Sequence, residues 1–324
     1  MKINLLIMSV TSTYKRDYTK AFFLLVGMII PFIGFSQKET ADSIKVFFLG
    51  GQSNMVGRGL NEDLPESFNK PFSNVWIFTG NSTGGKSENG GAGKWEQLQP
   101  GHGAGFKSDG STNSHSTKFG VELSFAQKLQ KLYPNEKIAL VKYACGGTSI
   151  DTMANRKSGY WEPDYSGKQG VNHYENFLKT INNAFDVSDI NGDGNNDVLI
   201  PSGIIWMQGE SDGNDEKVAS RYYANLKRLM DLMRATFRNN DLPVVIGKIS
   251  DSENDEDGKV WDYGELVQYA QEKYAKTERN AAIVRSTKFY TYSDPWHYDS
   301  NGYIDLGEKF AEAIFHLNKT DINR

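Results

Sequence analysis

Cysteine is all but missing from this chain. Cys145 is the only one in 324 residues, so no intramolecular disulfide can form, a metal–thiolate cluster is excluded, and the fold must rest on its core or on a metal held by other ligands. Charge of one sign is not concentrated either: 36 Lys and Arg stand against 40 Asp and Glu, scattered along the chain for a formal charge of −4. Nothing in that distribution suits a phosphate backbone, and no nucleic-acid partner is expected. Internal repeats are absent. One long apolar run exists, from Ala21 to Phe35, and Pro31 interrupts it.

That run is short for crossing ~30 Å of hydrocarbon. Lys15, Arg16 and Lys20 precede it, and the small residues Gly34 and Ser36 close it, which is the layout of a secretory signal peptide over residues 1–36. A retained membrane anchor is the alternative. The expectation is a single mature domain over residues 37–324, secreted or periplasmic, with no membrane partner after cleavage. No cysteine stands at the end of the run, so a lipid-bearing N-terminal cysteine is not expected.

What the chain does have is a pattern of apolar strands that end in polar turns. Val46 to Leu49 is a continuous β-prone run of the kind buried on both faces of a parallel sheet, and it stops at Gly50-Gly51-Gln52-Ser53-Asn54. Glycines there permit a sharp turn that delivers Gln52, Ser53 and Asn54 at the carboxyl end of a strand, where open α/β sheets bind ligands. Further strands are expected at Ile138 to Ala144, Gly203 to Met207, Val244 to Ile249 and Ala282 to Arg285, with Val75 to Phe78 a brief candidate. Helices are expected at about 119–132, 172–185, 217–237, 263–276 and 302–317. The alternation predicts an α/β three-layer αβα sandwich with a mostly parallel, five-stranded sheet.

Residues Gly80 to Thr117 are rich in Gly, Ser, Asn and Lys and contain Trp95, His102, Phe106 and His115. A loop of that length is either functional or mobile, and a substrate-binding lip is one reading. A second polar stretch carries Tyr160, Trp161 and Tyr165. Aromatics in such segments suit sugar stacking, although burial in the core is the commoner fate of aromatic rings.

A serine is a weak nucleophile until a base takes its proton. Asp294 and His297, in the last loop before the C-terminal helix, can supply a base and the acid that orients it. Acyl transfer also needs donors aimed at the developing oxyanion, each worth about 3 kcal/mol. The candidates are the backbone N–H groups of Ser53 and Gly147 and the side-chain amide of Gln208. Glu210 is expected to brace the nucleophile turn together with Gln52; otherwise it is an ordinary helix-start acid.

Four blocks in order, Gly-Gln-Ser-Asn-Met at 51–55, Gly-Gly-Thr-Ser-Ile at 146–150, Trp-Met-Gln-Gly-Glu-Ser-Asp at 206–212 and Asp-Pro-Trp-His at 294–297, resemble those of the SGNH hydrolases. They are similar more narrowly to the sialate O-acetylesterase-like group and carbohydrate esterase family 6, which includes acetylxylan esterases. The resemblance spans roughly Ile44 to Leu317. It implies a flavodoxin-like fold and deacetylation of carbohydrates with no catalytic cofactor. It also implies a triad of Ser53, Asp294 and His297, with an oxyanion hole of Ser53, Gly147 and Gln208. The expected function is a secreted serine esterase acting on acetylated xylan or a similar plant or algal polysaccharide. A sialate O-acetylesterase, a non-catalytic glycan binder, and a lipase or thioesterase on the same fold are the other readings.

Asp189, Asn191, Asp193, Asn195 and Asp197 place oxygens at alternate positions around Gly194, like the start of an EF-hand or dockerin calcium loop. Ile200 stands where the bidentate glutamate belongs, so Asp197 would have to substitute. A structural calcium is the expectation, against a solvated turn rich in Asp and Asn.

Overall fold

The computed structural model describes residues 41–82 and 89–322; the expected signal peptide lies outside the described residues. Strands β1 (Ser43–Gly51), β2 (Val75–Thr79), β3 (Trp95–Gln97), β4 (Lys137–Ala144), β5 (Val198–Met207), β6 (Val244–Gly247) and β7 (Ala281–Val284) form one sheet in the order β7-β6-β5-β1-β4-β2-β3. All neighbours run parallel except β3, which pairs antiparallel with β2 at the edge. The sheet has seven strands where five were expected. The brief candidate at Val75 is a full member, and β3 is a three-residue edge strand inside the stretch expected to be loop, too short to show a period of two.

Helices α1 (Ser53–Val56), α2 (Glu122–Leu132), α3 (His173–Phe185), α4 (Glu216–Thr236), α5 (Gly264–Thr277) and α6 (Ser300–Ile322) complete the alternation. The side chains of Asn172 and Asp215 accept from the N–H groups of Glu175 and Val218, at 3.1 and 3.0 Å, which fixes where α3 and α4 begin. Phe47 and Phe48 show why β1 reads as an unbroken apolar run. Phe47 meets Phe125 of α2 edge-on at 5.6 Å, while its neighbour meets Phe177 of α3 at 4.8 Å on the other face. Helices therefore cover both faces, as a parallel sheet requires.

β1 lies in the middle. Its last residue, Gly51, pairs with Ala144 of β4 and Met207 of β5, so three strands finish level and release three polar turns side by side. Pro201 cannot donate to the ladder, and the register slips by one residue at Ser202, opposite Val46 and Phe47.

In the second aromatic stretch Tyr160 and Trp161 take the commoner of the two expected fates and turn into the core, while Tyr165 is partly exposed. Trp161 is fully buried, stacked edge-on against Trp206 at 4.9 Å, and its Nε1 donates to Thr148 Oγ1 at 3.1 Å. Tyr160 and Trp95 are buried as well. The flanking glycines and polar residues suggested water, but the rings turn inward to fill the core.

Candidate active site

The first turn is forced by packing. Gly51 has φ +146, and a Cβ there would stand 1.9 Å from the Met207 carbonyl oxygen, so only glycine fits. Gln52 N donates to that same carbonyl at 2.9 Å, and the chain turns into α1 with Ser53 as its first residue. Gly147, in the turn after β4, has φ +70. Among the described residues the backbone N–H groups of Ser53 and Gly147 have no hydrogen-bond acceptor, as free oxyanion donors must.

Asp294 and His297 face each other across a tight hairpin of β8 (Tyr292–Asp294) and β9 (His297–Tyr298). Nδ1 of His297 is 2.8 and 2.7 Å from the two carboxylate oxygens, so the proton belongs on Nδ1 and Nε2 keeps its lone pair. The N–H groups of Trp296 and His297 also donate to Asp294 Oδ1, at 2.8 and 2.9 Å. Partial burial works against charge on Asp294, but the ring and the Trp296 N–H outweigh it and hold the carboxyl below its ordinary value. Burial lowers the pKa of His297 below the usual 6.5 in spite of Asp294, so the ring is neutral near pH 7.

Ser53 and His297 are both buried, and no hydrogen bond joins Ser53 Oγ to the ring among the described residues. Such contacts often tighten only with substrate bound. What ties the two turns is Asn54, whose Nδ2 donates to Glu210 Oε1 at 2.8 Å and to the Trp296 carbonyl at 3.2 Å. Its Oδ1 accepts from Tyr303 of α6 at 2.9 Å. Glu210 thus braces the nucleophile turn directly. Burial pushes its pKa up, and its Oε2 has no hydrogen-bond partner among the described residues.

Gln52 Oε1 accepts from Gln208 Nε2 and from the N–H groups of Gly209 and Ser211, at 3.3, 3.4 and 3.3 Å, which locks the β1 and β5 turns together. Gln208 differs from expectation. It is fully buried, and its Nε2 donates to Asp212 Oδ2 at 2.5 Å, with Thr148 O at 3.2 Å and Gln52 Oε1 as further acceptors. Two N–H groups facing three acceptors leave none for an oxyanion. In this geometry Gln208 Nε2 holds the β1, β4 and β5 turns together. Asp212, to which the sequence reading gave no role, accepts from Ser149 Oγ at 2.7 Å as well as from Gln208; burial pushes its pKa up to about 7.

Lys142 was also overlooked. It is buried in β4, ion-paired with Glu122 at 2.7 Å, and donates to the carbonyls of Val56 and His102 at 2.8 and 3.0 Å. A charged residue inside an apolar strand was the available signal. Its bonds join the end of α1 to the loop carrying His102.

The 189–197 loop lies between α3 and β5, at the entrance to the strand whose exit carries Gln208. Asp189 takes the N–H groups of Gly192, Asp193 and Gly194 at 2.7, 3.2 and 2.9 Å; Asn191 and Asp193 take those of Asp193 and Asn195 at 2.9 and 2.8 Å. Asp197 accepts from Ile190 N at 2.8 Å. The carboxylates of Asp189, Asp193 and Asp197 do not converge within 4.8 Å of one another. A cleft of about 810 Å³ opens between β3 and residues 186–192, and no triad residue lines it.

A model of the family described as "Carbohydrate esterase, sialic acid-specific acetylesterase" matches residues 43–316. The chain belongs to this family. The esterase has no match among curated protein sequences. Among solved structures it is similar to a protein from Arabidopsis thaliana, with 21% identity and a TM-score of 0.58 over 84% of this chain and 98% of the other. It is also similar to a carbohydrate acetylesterase from Xanthomonas citri, with 16% identity and a TM-score of 0.58 over 85% and 57%. NanS matches at 17% identity and a TM-score of 0.54 over 87% and 99%. The sheet flanked by helices is thus the SGNH hydrolase fold, and the family's substrates are acetylated carbohydrates. No described helix is long and apolar enough to cross a membrane.

Proposed function

We propose that this esterase is a secreted serine enzyme that removes O-acetyl groups from carbohydrates through an acetyl-enzyme intermediate. The observation that carries the reading is His297, held by both oxygens of Asp294 with Nε2 unbonded among the described residues, on a loop bound through Asn54 to the turn presenting Ser53. In the first half-reaction Nε2 takes the Ser53 proton while Oγ bonds to the acetyl carbonyl carbon. The oxygen becomes an oxyanion opposite the N–H groups of Ser53 and Gly147, and the sugar oxygen leaves with the proton from His297. Water then repeats the sequence, and acetate departs. Trp296, half exposed and next to His297, is an aromatic surface on which a sugar ring can stack.

Acetylated xylan or a related polysaccharide is the first substrate proposed. The family's description favours O-acetylated sialic acid as the second. The test is acetate release from each by the mature chain beside Ser53→Ala. Release from one substrate, lost in the variant, supports the reading and names the sugar. Silence on both, with para-nitrophenyl acetate also untouched, moves the assignment to a glycan-binding protein.

Calcium at residues 189–197 is proposed separately as a structural ion, on the alternating oxygen side chains. Calorimetry at millimolar calcium and the melting temperature in chelator decide it; no heat and no shift would discard it.

A further inference from the structure

Glu96 of β3, His102 and His115 converge from three separate places. One ligand atom from each lies within 4.8 Å of the other two. His115 Nε2 is 3.1 and 3.0 Å from the Glu96 oxygens, and His102 Nε2 is 3.5 Å from Glu96 Oε1. The separations suit three corners of a tetrahedron whose centre stands about 2.0–2.2 Å from each ligand. A second, independent observation points the same way. His102 is 1% exposed, yet its Nε2 is a buried atom with no hydrogen-bond partner among the described residues.

An ion pair does not explain this arrangement. His102 Nε2 makes no hydrogen bond with the Glu96 carboxylate 3.5 Å away, so that contact leaves the buried nitrogen unsatisfied. The ring's Nδ1 lies 2.9 Å from Thr79 Oγ1, which can fix that end of the ring. With the proton on Nδ1, a lone pair on buried Nε2 faces a carboxylate, and two electron-rich groups meet with nothing between them. A cation would satisfy both. The carboxylate has outer partners in Asn113 Nδ2 at 2.5 Å and Gln99 Nε2 at 3.3 Å, while the His115 side is a third exposed and gives an ion its way in.

We infer that Glu96, His102 Nε2 and His115 Nε2 bind one divalent transition-metal ion of the zinc class, clasping the 101–118 loop to the edge strand β3. Two imidazoles and one carboxylate are borderline N and O donors, which select zinc over calcium or magnesium; water completes the coordination. The clasped loop borders the nucleophile turn: Ala104 N donates to Gly57 O at 2.8 Å, and Lys118–Phe119 pairs with Gly59–Leu60. The site orders the lip and takes no part in the ester chemistry, and the inference does not depend on the esterase reading.

The test uses the full chain, stripped with chelator and titrated with cobalt(II) and then zinc. The expected result is one equivalent of cobalt with tetrahedral d–d absorption, displaced by zinc, and a melting temperature that zinc raises. His115→Ala and Glu96→Gln, both at the solvent side, should each weaken zinc binding by more than about 100-fold while keeping the metal-free fold by circular dichroism. Asp189→Asn should leave the cobalt spectrum unchanged. Absence of saturable cobalt or zinc binding, or affinity unaltered in His115→Ala, would overturn the inference.

Discussion

Two sites among the described residues bring histidine against a carboxylate, and the two meetings leave different things over. At the β8–β9 hairpin one imidazole spends Nδ1 on both oxygens of Asp294, and Nε2, across the ring, has no hydrogen-bond partner among the described residues. Carboxylate and free nitrogen lie on opposite sides of the ring, the arrangement that moves a proton from one side while charge is steadied from the other. At the lip, two imidazoles turn Nε2 toward a single carboxylate, and the buried one finds no partner there. Lone pairs and negative charge converge on one point, the arrangement that holds a cation. Residue type alone does not separate a general base from a metal ligand; here the number of donor atoms that converge does, a single nitrogen at the hairpin against two nitrogens and a carboxylate at the lip.

Substitutions should divide the two. Replacing His297 with Ala is expected to lower kcat/KM for an acetyl ester by about 10⁵-fold or more, with zinc binding unchanged. Asp294→Asn, which disturbs the tautomer but keeps the shape, should cost about 10⁴-fold in kcat. Steady-state kinetics beside a cobalt titration checks both, and equal losses of metal and turnover in either variant would break the distinction. Lys142 ties the two regions, since one ammonium binds the carbonyls of Val56 and His102. Lys142→Ala strands Glu122 as a buried, uncompensated charge and should destabilise the fold by about 3–5 kcal/mol in urea denaturation.

The smallest effect is in pH. The base acts unprotonated, and burial holds His297 below 6.5, so kcat/KM should be level at neutral pH and fall tenfold per unit only below a midpoint under 6.5. Because Asp294 raises the pKa of His297, its replacement by Asn should move that midpoint further down. A midpoint above 6.5 in the unaltered enzyme would contradict the account of His297.

The strand ends were legible because each carries its own punctuation: an apolar run, then glycine, then polar side chains, as at Phe47 to Ser53 and Ala144 to Gly147. Local chemistry of that kind is written in neighbouring residues. The helix starts, expected at about 172 and 217 and found at His173 and Glu216, came out within a residue because helical periodicity is also local, and the caps at Asn172 and Asp215 act within three residues. What escaped depends on distant partners. Trp161 lies in a wet-looking stretch, and its site is dry because residues such as Tyr143 and Trp206, 45 positions from it, pack on its ring. Gln208 matched a donor by type, but its hydrogen bonds to Gln52, Thr148 and Asp212 exist only once β1, β4 and β5 lie side by side. β3 pairs with a strand some twenty residues earlier across a glycine-rich segment that has no period to read.

The central claim is that Ser53 carries the acetyl group between the two half-reactions. Rapid acid quench of the enzyme with a reactive acetyl ester, followed by peptide mass spectrometry, addresses it directly. The account predicts one acetyl group on the peptide containing Ser53, present in Asp294→Asn and absent in Ser53→Ala. Turnover that survives in Ser53→Ala, or an acetyl group found on another residue while Ser53 stays unmodified, would contradict it.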